Sequence, residues 1–168
     1  MTSNFVFEAD LAAKKIHISR EFNAPIEKVW KAFTEPDLLD KWVGPKPYTA
    51  KTKTWDFTVG GVSLYAMFGP DDQKHWVYAK FTAIENGKSI STMGAFCDAD
   101  GNPMLDAPKS YRNTKFSSIE GNRTKVDTVI TFEDESTIKW FAEGGFKEGT
   151  IMCMNQLDEL LASELITL

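Results

Sequence analysis

The sequence predicts an α+β protein: a curved antiparallel sheet of about seven strands around a long C-terminal helix, with two short helices after the first strand. Three observations predict it. Strand-like runs follow one another from residue 48 to 132 with turn signals between them, so neighbours pair antiparallel. The period then changes: Ile138, Phe141, Phe146, Thr150, Cys153, Met154, Leu157, Leu160, Leu161 and Leu165 recur at helical spacing. A helix with such a stripe has to bury it, and the sheet offers the surface.

Residues 1–13 read as a loosely attached N-terminal arm and 14–168 as a single domain. Ile16, Ile18, Arg20 and Phe22 alternate with His17, Ser19 and Glu21, the pattern of a half-buried strand. Asn23-Ala24-Pro25 stops that strand, with Asn able to cap a helix and Pro tolerated in its first turn. Ile26, Val29, Trp30 and Phe33 give the first short helix one apolar face. A second passes through Leu38, Leu39 and Trp42 and ends at Gly44-Pro45.

Five turn or loop signals then divide the strands. Gly60-Gly61 separates 51–59 from 62–69, and Asp71-Asp72 leads into 75–85. Asn86-Gly87 is the sharpest signal, because both residues accept positive φ in a tight hairpin turn. Residues 88–97 form the next strand, and 98–113 a long polar loop with two prolines and a glycine. Gly121-Asn122 joins 114–120 to 123–132. The last helix spans about 135–164, with a kink or close backbone approach expected at Gly144-Gly145 and Gly149.

Composition narrows the function. With 168 residues the chain can bury a sizeable core without disulfides or metal. A net charge of −5 argues against nucleic acid and membrane surfaces as partners. Two isolated cysteines, Cys97 and Cys153, and an N-terminus without a basic and apolar leader point to the cytoplasm. Five Trp, twelve Phe and four Tyr are enough to fill a core and also line a pocket. No nucleophile elbow, zinc-protease helix, P-loop or dinucleotide fingerprint is present, so no cofactor or metal is expected.

The stretch from Ile18 to Trp42, ISREFNAPIEKVWKAFTEPDLLDKW, resembles the opening of proteins similar to the C-terminal domain of the activator of the heat-shock-protein-90 ATPase. Gly44-Pro45, Asp56 with Gly60-Gly61, the run Phe96 to Pro103, and Gly145-Phe-Lys-Glu-Gly149 leading into Leu157 to Leu161 extend the resemblance. It implies the helix-grip fold of the START-like (SRPBCC, Bet v-like) superfamily, with a cavity between sheet and helix. That superfamily holds lipid carriers, hormone receptors, cyclases and co-chaperones, so fold does not settle function. The 168 residues leave no room for the further N-terminal domain of the eukaryotic co-chaperone, so a free-standing member is expected.

The expected ligand is a small apolar or aromatic molecule. Candidate cavity residues are Trp55, Tyr65, Met67, Trp76, Tyr78, Met93, Phe96, Trp140, Phe146, Gly149, Met152 and Cys153. Each alone reads as core; as a set they read equally as pocket lining and as helix–strand packing. Trp30, Phe33 and Trp42 read as core. Arg20 shares a face with apolar residues and needs a carboxylate, for which Asp56 and Glu85 are candidates; alternatively it anchors a ligand carboxylate. Two further functions stay open: a cyclase- or hydrolase-type enzyme using the same cavity, and a co-chaperone-like domain. No catalytic residue is named, and a homodimer is left open.

Overall fold

The computed structural model describes residues 4–166. The strands are β1 (Phe5–Asp10), β2 (Lys15–Phe22), β3 (Thr49–Trp55), β4 (Val62–Phe68), β5 (Lys74–Glu85), β6 (Ser89–Ala95), β7 (Ser110–Ile119) and β8 (Arg123–Phe132). Helices α1 (Ile26–Thr34) and α2 (Pro36–Leu39) follow β2, and α3 (Glu135–Glu143) and α4 (Phe146–Ala162) close the chain. The sheet is antiparallel throughout and open, in the order β1-β2-β8-β7-β6-β5-β4-β3.

The eighth strand is the departure from the expected seven. Phe5–Asp10, assigned to a loose arm, is an edge strand paired with β2 from Phe5↔Arg20 to Asp10↔Lys15. Its Phe7 ring lies 6.0 Å from that of Phe146, which gives the strand a side-chain reason to dock. Residues 1–3 of the expected arm lie outside the described residues.

Two local expectations also differ. Pro25, not Asn23, stands at the N-cap of α1, and no side chain caps that helix. At Asn86-Gly87 only the glycine takes positive φ, +75°. Glu85 pairs with Ser89, so the loop has three residues rather than two. The double positive φ occurs instead at Gly121 (+78°) and Asn122 (+58°).

The main core lies where α1, the segment after α2 and the C-terminal half of α4 meet the sheet. Phe22, Val29, Trp42, Phe116, Val126, Leu157 and Leu161 are buried there, with Trp30 and Phe33 packed against them. Both rings meet Phe116, at 5.1 and 5.0 Å. Polar ties fix α4 in place. Buried Gln156 donates to the carbonyls of Trp42 and Gly44, at 3.0 and 2.8 Å, and accepts from the Lys46 amide. Lys28 Nζ donates to the Leu161 carbonyl at 2.8 Å, satisfying an otherwise open acceptor at the helix end.

Between α3 and α4 the helical path breaks. Gly145 takes φ +84°, a left-handed conformation that disfavours any side chain. The single long helix of the sequence pattern is therefore two helices.

Candidate functional site

Strand alternation decides what faces the concave side of the sheet. On β7, Ser110, Arg112, Thr114 and Phe116 share that face. Phe116 belongs to the main core, while Ser110, Arg112 and Thr114 line a cavity of about 840 Å³. On β6 the same parity turns Ile90, Thr92 and Gly94 inward, and on β4 Ser63, Tyr65 and Met67. The opposite wall is α3 and the first half of α4. There Phe146, Gly149, Thr150 and Cys153 lie on one helical face. Gly149 contributes no side chain, and a methyl group built on it would meet nothing closer than Pro45 Cγ at 3.8 Å. The cavity is partly open to solvent and mostly apolar in its lining.

The structure gathers most of the expected residues on this one cavity. Trp55, Tyr65, Met67, Trp76 and Tyr78 line it from the sheet. Phe96, Trp140, Phe146, Gly149 and Cys153 line it from the segment after β6 and from the helices. Two do not. Met93 falls at the wrong parity on β6, between the inward Thr92 and Gly94. Met152 lies on the other side of α4 and is 40% exposed. Trp140 is 63% exposed and meets Phe96 edge-on at 5.7 Å. Trp76 is held by an Nε1 hydrogen bond of 3.1 Å to the Ala99 carbonyl.

Arg20 is elsewhere. It faces α4, where it donates to Asn155 Oδ1 at 2.9 Å and lies 3.6 Å from Asp158. The expected partners Asp56 and Glu85 are not the ones it finds. Its Nε is buried without a partner. Burial lowers the Arg20 pKa, and Asp158 opposes that shift.

The residue missed from the sequence is Arg112. Residues 98–113 read as a loop, yet β7 begins at Ser110. The Arg112 side chain is solvent-exposed and lines the partly open cavity, where the surrounding protein still desolvates it in part. Burial lowers its pKa, and Tyr65 and Cys153 push the other way. Burial likewise raises the Tyr65 phenol to about 12 and the Cys153 thiol to about 11. Cys153 Sγ donates to the Val43 carbonyl at 3.3 Å, so it is a neutral, hydrogen-bonded wall residue. Cys97 is also raised, by burial first and then by Asp98, which is the opposite of an activated thiol.

The carboxylate in this lining, Asp98, is exposed and occupied. Its Oδ1 accepts from the amides of Asp100 and Asn102, and its Oδ2 from Asn102 Nδ2. These bonds, led by the Asn102 amide, lower its pKa. His75 lines the cavity but is exposed, beside the Tyr48 ring. Among the described residues no three His, Cys, Asp or Glu side chains gather as a metal site requires. No described helix is long and apolar enough to cross a membrane.

A family model for activator of Hsp90 ATPase homolog 1-like proteins matches residues 23–162. The chain belongs to that family. The fold agrees: a solution structure of an Arthrobacter aurescens protein is 31% identical, with a TM-score of 0.86 over 97% of this chain and 94% of that one. A crystal structure of a Mycobacterium smegmatis protein is 28% identical, with a TM-score of 0.85 over 96% and 98%. A Staphylococcus epidermidis protein is 26% identical, with a TM-score of 0.82 over 97% of each. No curated protein matches the sequence. Family and fold together make this a START-like helix-grip protein, a class of ligand-binding or co-chaperone-type modules.

Proposed function

We propose that this family member is a small-molecule binding module that holds an apolar or aromatic ligand between the sheet and the first half of α4. The observation that carries the reading is the cavity itself. About 840 Å³ falls within the roughly 300–1,000 Å³ of ordinary ligand pockets, and its walls are rich in Trp, Tyr, Phe and Met. A site built for acid–base chemistry needs a carboxylate or histidine enclosed with the substrate. Here Asp98 is exposed and fully engaged in its own turn, and His75 is exposed. Binding without chemistry is the simpler use of this lining. The co-chaperone alternative draws on the family's description alone.

Native mass spectrometry of protein recovered from its own cells tests the reading. The expected result is a population heavier than the polypeptide by the mass of one small molecule, released on denaturation. Bare polypeptide in every preparation, together with failure to bind a panel of apolar fluorescent probes, would reject it.

A further inference from the structure

Arg112, solvent-exposed on the wall of the partly open cavity, makes no hydrogen bond or ion pair with any described residue. A guanidinium carries five N–H donors and a permanent charge, and here they are free to meet an anion that enters the cavity. Among the described residues no carboxylate pairs with it. The ionisable groups that act on it are the Tyr65 phenol and the Cys153 thiol, both kept neutral by burial at ordinary pH. Asp98 is tied into its own turn, and Asp40 is bonded to Thr52. Thr92, directly across the β6–β7 pair from Arg112, faces the same cavity. The Tyr65 hydroxyl has no hydrogen-bond partner among the described residues.

We propose that the ligand is an organic acid, with its apolar body against the aromatic walls and a single carboxylate on Arg112. The proposal rests on the cavity being a ligand site. Lys74, the other cation of the lining, sits over the Trp76 ring at 4.4 Å; the Arg112 guanidinium is left to match a monoanion, and its planar fork donates to both carboxylate oxygens. Thr92 and Tyr65 supply neutral donors to the same head group. The rest of the lining is predominantly apolar, which suits an aromatic or branched body better than a sugar or a nucleotide.

The test separates the head group from the body. N-phenyl-1-naphthylamine, a neutral fluorescent probe, reports on the cavity. Competition by 1-naphthaleneacetate against 1-naphthaleneacetamide reports on the charge. Wild type is expected to bind the acid about tenfold or more tightly than the amide, the usual reach of a charge-assisted hydrogen bond. Arg112→Met should erase that preference while leaving the neutral probe within about threefold, and Arg112→Lys should keep part of it. The melting temperature of Arg112→Met should equal or exceed wild type, because the charge it removes has no protein partner. Probe binding with equal competition by acid and amide overturns the head-group proposal and leaves the binding reading standing. Acid binding that depends on Arg112 without any probe binding keeps the anion site and rejects the apolar-cavity reading. If neither compound nor probe binds, both fail.

Discussion

The two halves of the grip are built from the same elements and end differently. Toward the C-terminus of α4, Leu157, Leu160 and Leu161 meet Phe22, Phe116 and Val126, and sheet and helix close into a solid core. Toward its N-terminus the helix offers Gly149, Thr150 and Cys153, the sheet offers Ser63, Thr92, Gly94 and Arg112, and about 840 Å³ remains open. Strand β7 passes through both regions: Phe116 fills the core and Arg112 faces the cavity. Backbone geometry thus sets the groove, and side-chain volume decides which part of it is empty. A solid half fixes the helix so that the other half can stay open without collapsing.

That contrast predicts a large difference in tolerance. Phe116→Ala, which removes a ring touching both Trp30 and Phe33, should cost about 3–5 kcal/mol in chemical denaturation. A loss below about 1 kcal/mol would mean the core is not close-packed there.

The cavity half should respond to alkali. Cys153 is raised by burial from 9.0 to about 11, so the folded protein keeps a proton that the unfolded chain releases. Its contribution is full below pH 9 and is lost as pH rises toward 11. Cys153→Val should flatten that part of the stability profile. An unchanged slope would show that the thiol is more solvated than its position implies.

A smaller effect is expected at Gly149. Its backbone is helical, and a methyl group there meets only Pro45 Cγ at 3.8 Å. Gly149→Ala should therefore raise stability by up to about 1 kcal/mol, chiefly through helix propensity. A loss measured by urea denaturation would show that the space beside Gly149 is filled.

Much of this contrast is legible in the sequence, and the reason lies in periodicity. The stripe from Cys153 through Leu157 to Leu161 marks the buried face of α4, and Gly144-Gly145 marks its break from α3. Alternation over residues 123–132 fixes β8 at its observed ends. The signals fail where composition conceals them. Pro103, Pro108 and Gly101 make 98–113 look like one loop and hide the start of β7, although Ser110, Arg112, Thr114 and Phe116 already alternate. Reading the strand from Ser110 would have turned Arg112 inward. Met93 and Met152 follow the opposite error, in which residue type outweighed parity on β6 and face on α4. The pairing of Arg20 with Asn155 and Asp158 depends on how α4 crosses the sheet, which no local pattern encodes.

The most direct test of the cavity is to fill it. N-phenyl-1-naphthylamine should bind wild type at about one equivalent, with quenching of tryptophan fluorescence by energy transfer from Trp55 and Trp76 in the wall. Gly149→Leu places a side chain in the open space, so it should abolish or sharply weaken that binding while changing stability by less than about 1 kcal/mol. A wild type that never binds the probe, with a Gly149→Leu variant destabilised by the roughly 1–3 kcal/mol typical of an overpacked core, would contradict the account. The helix would then rest on a solid sheet along its whole length.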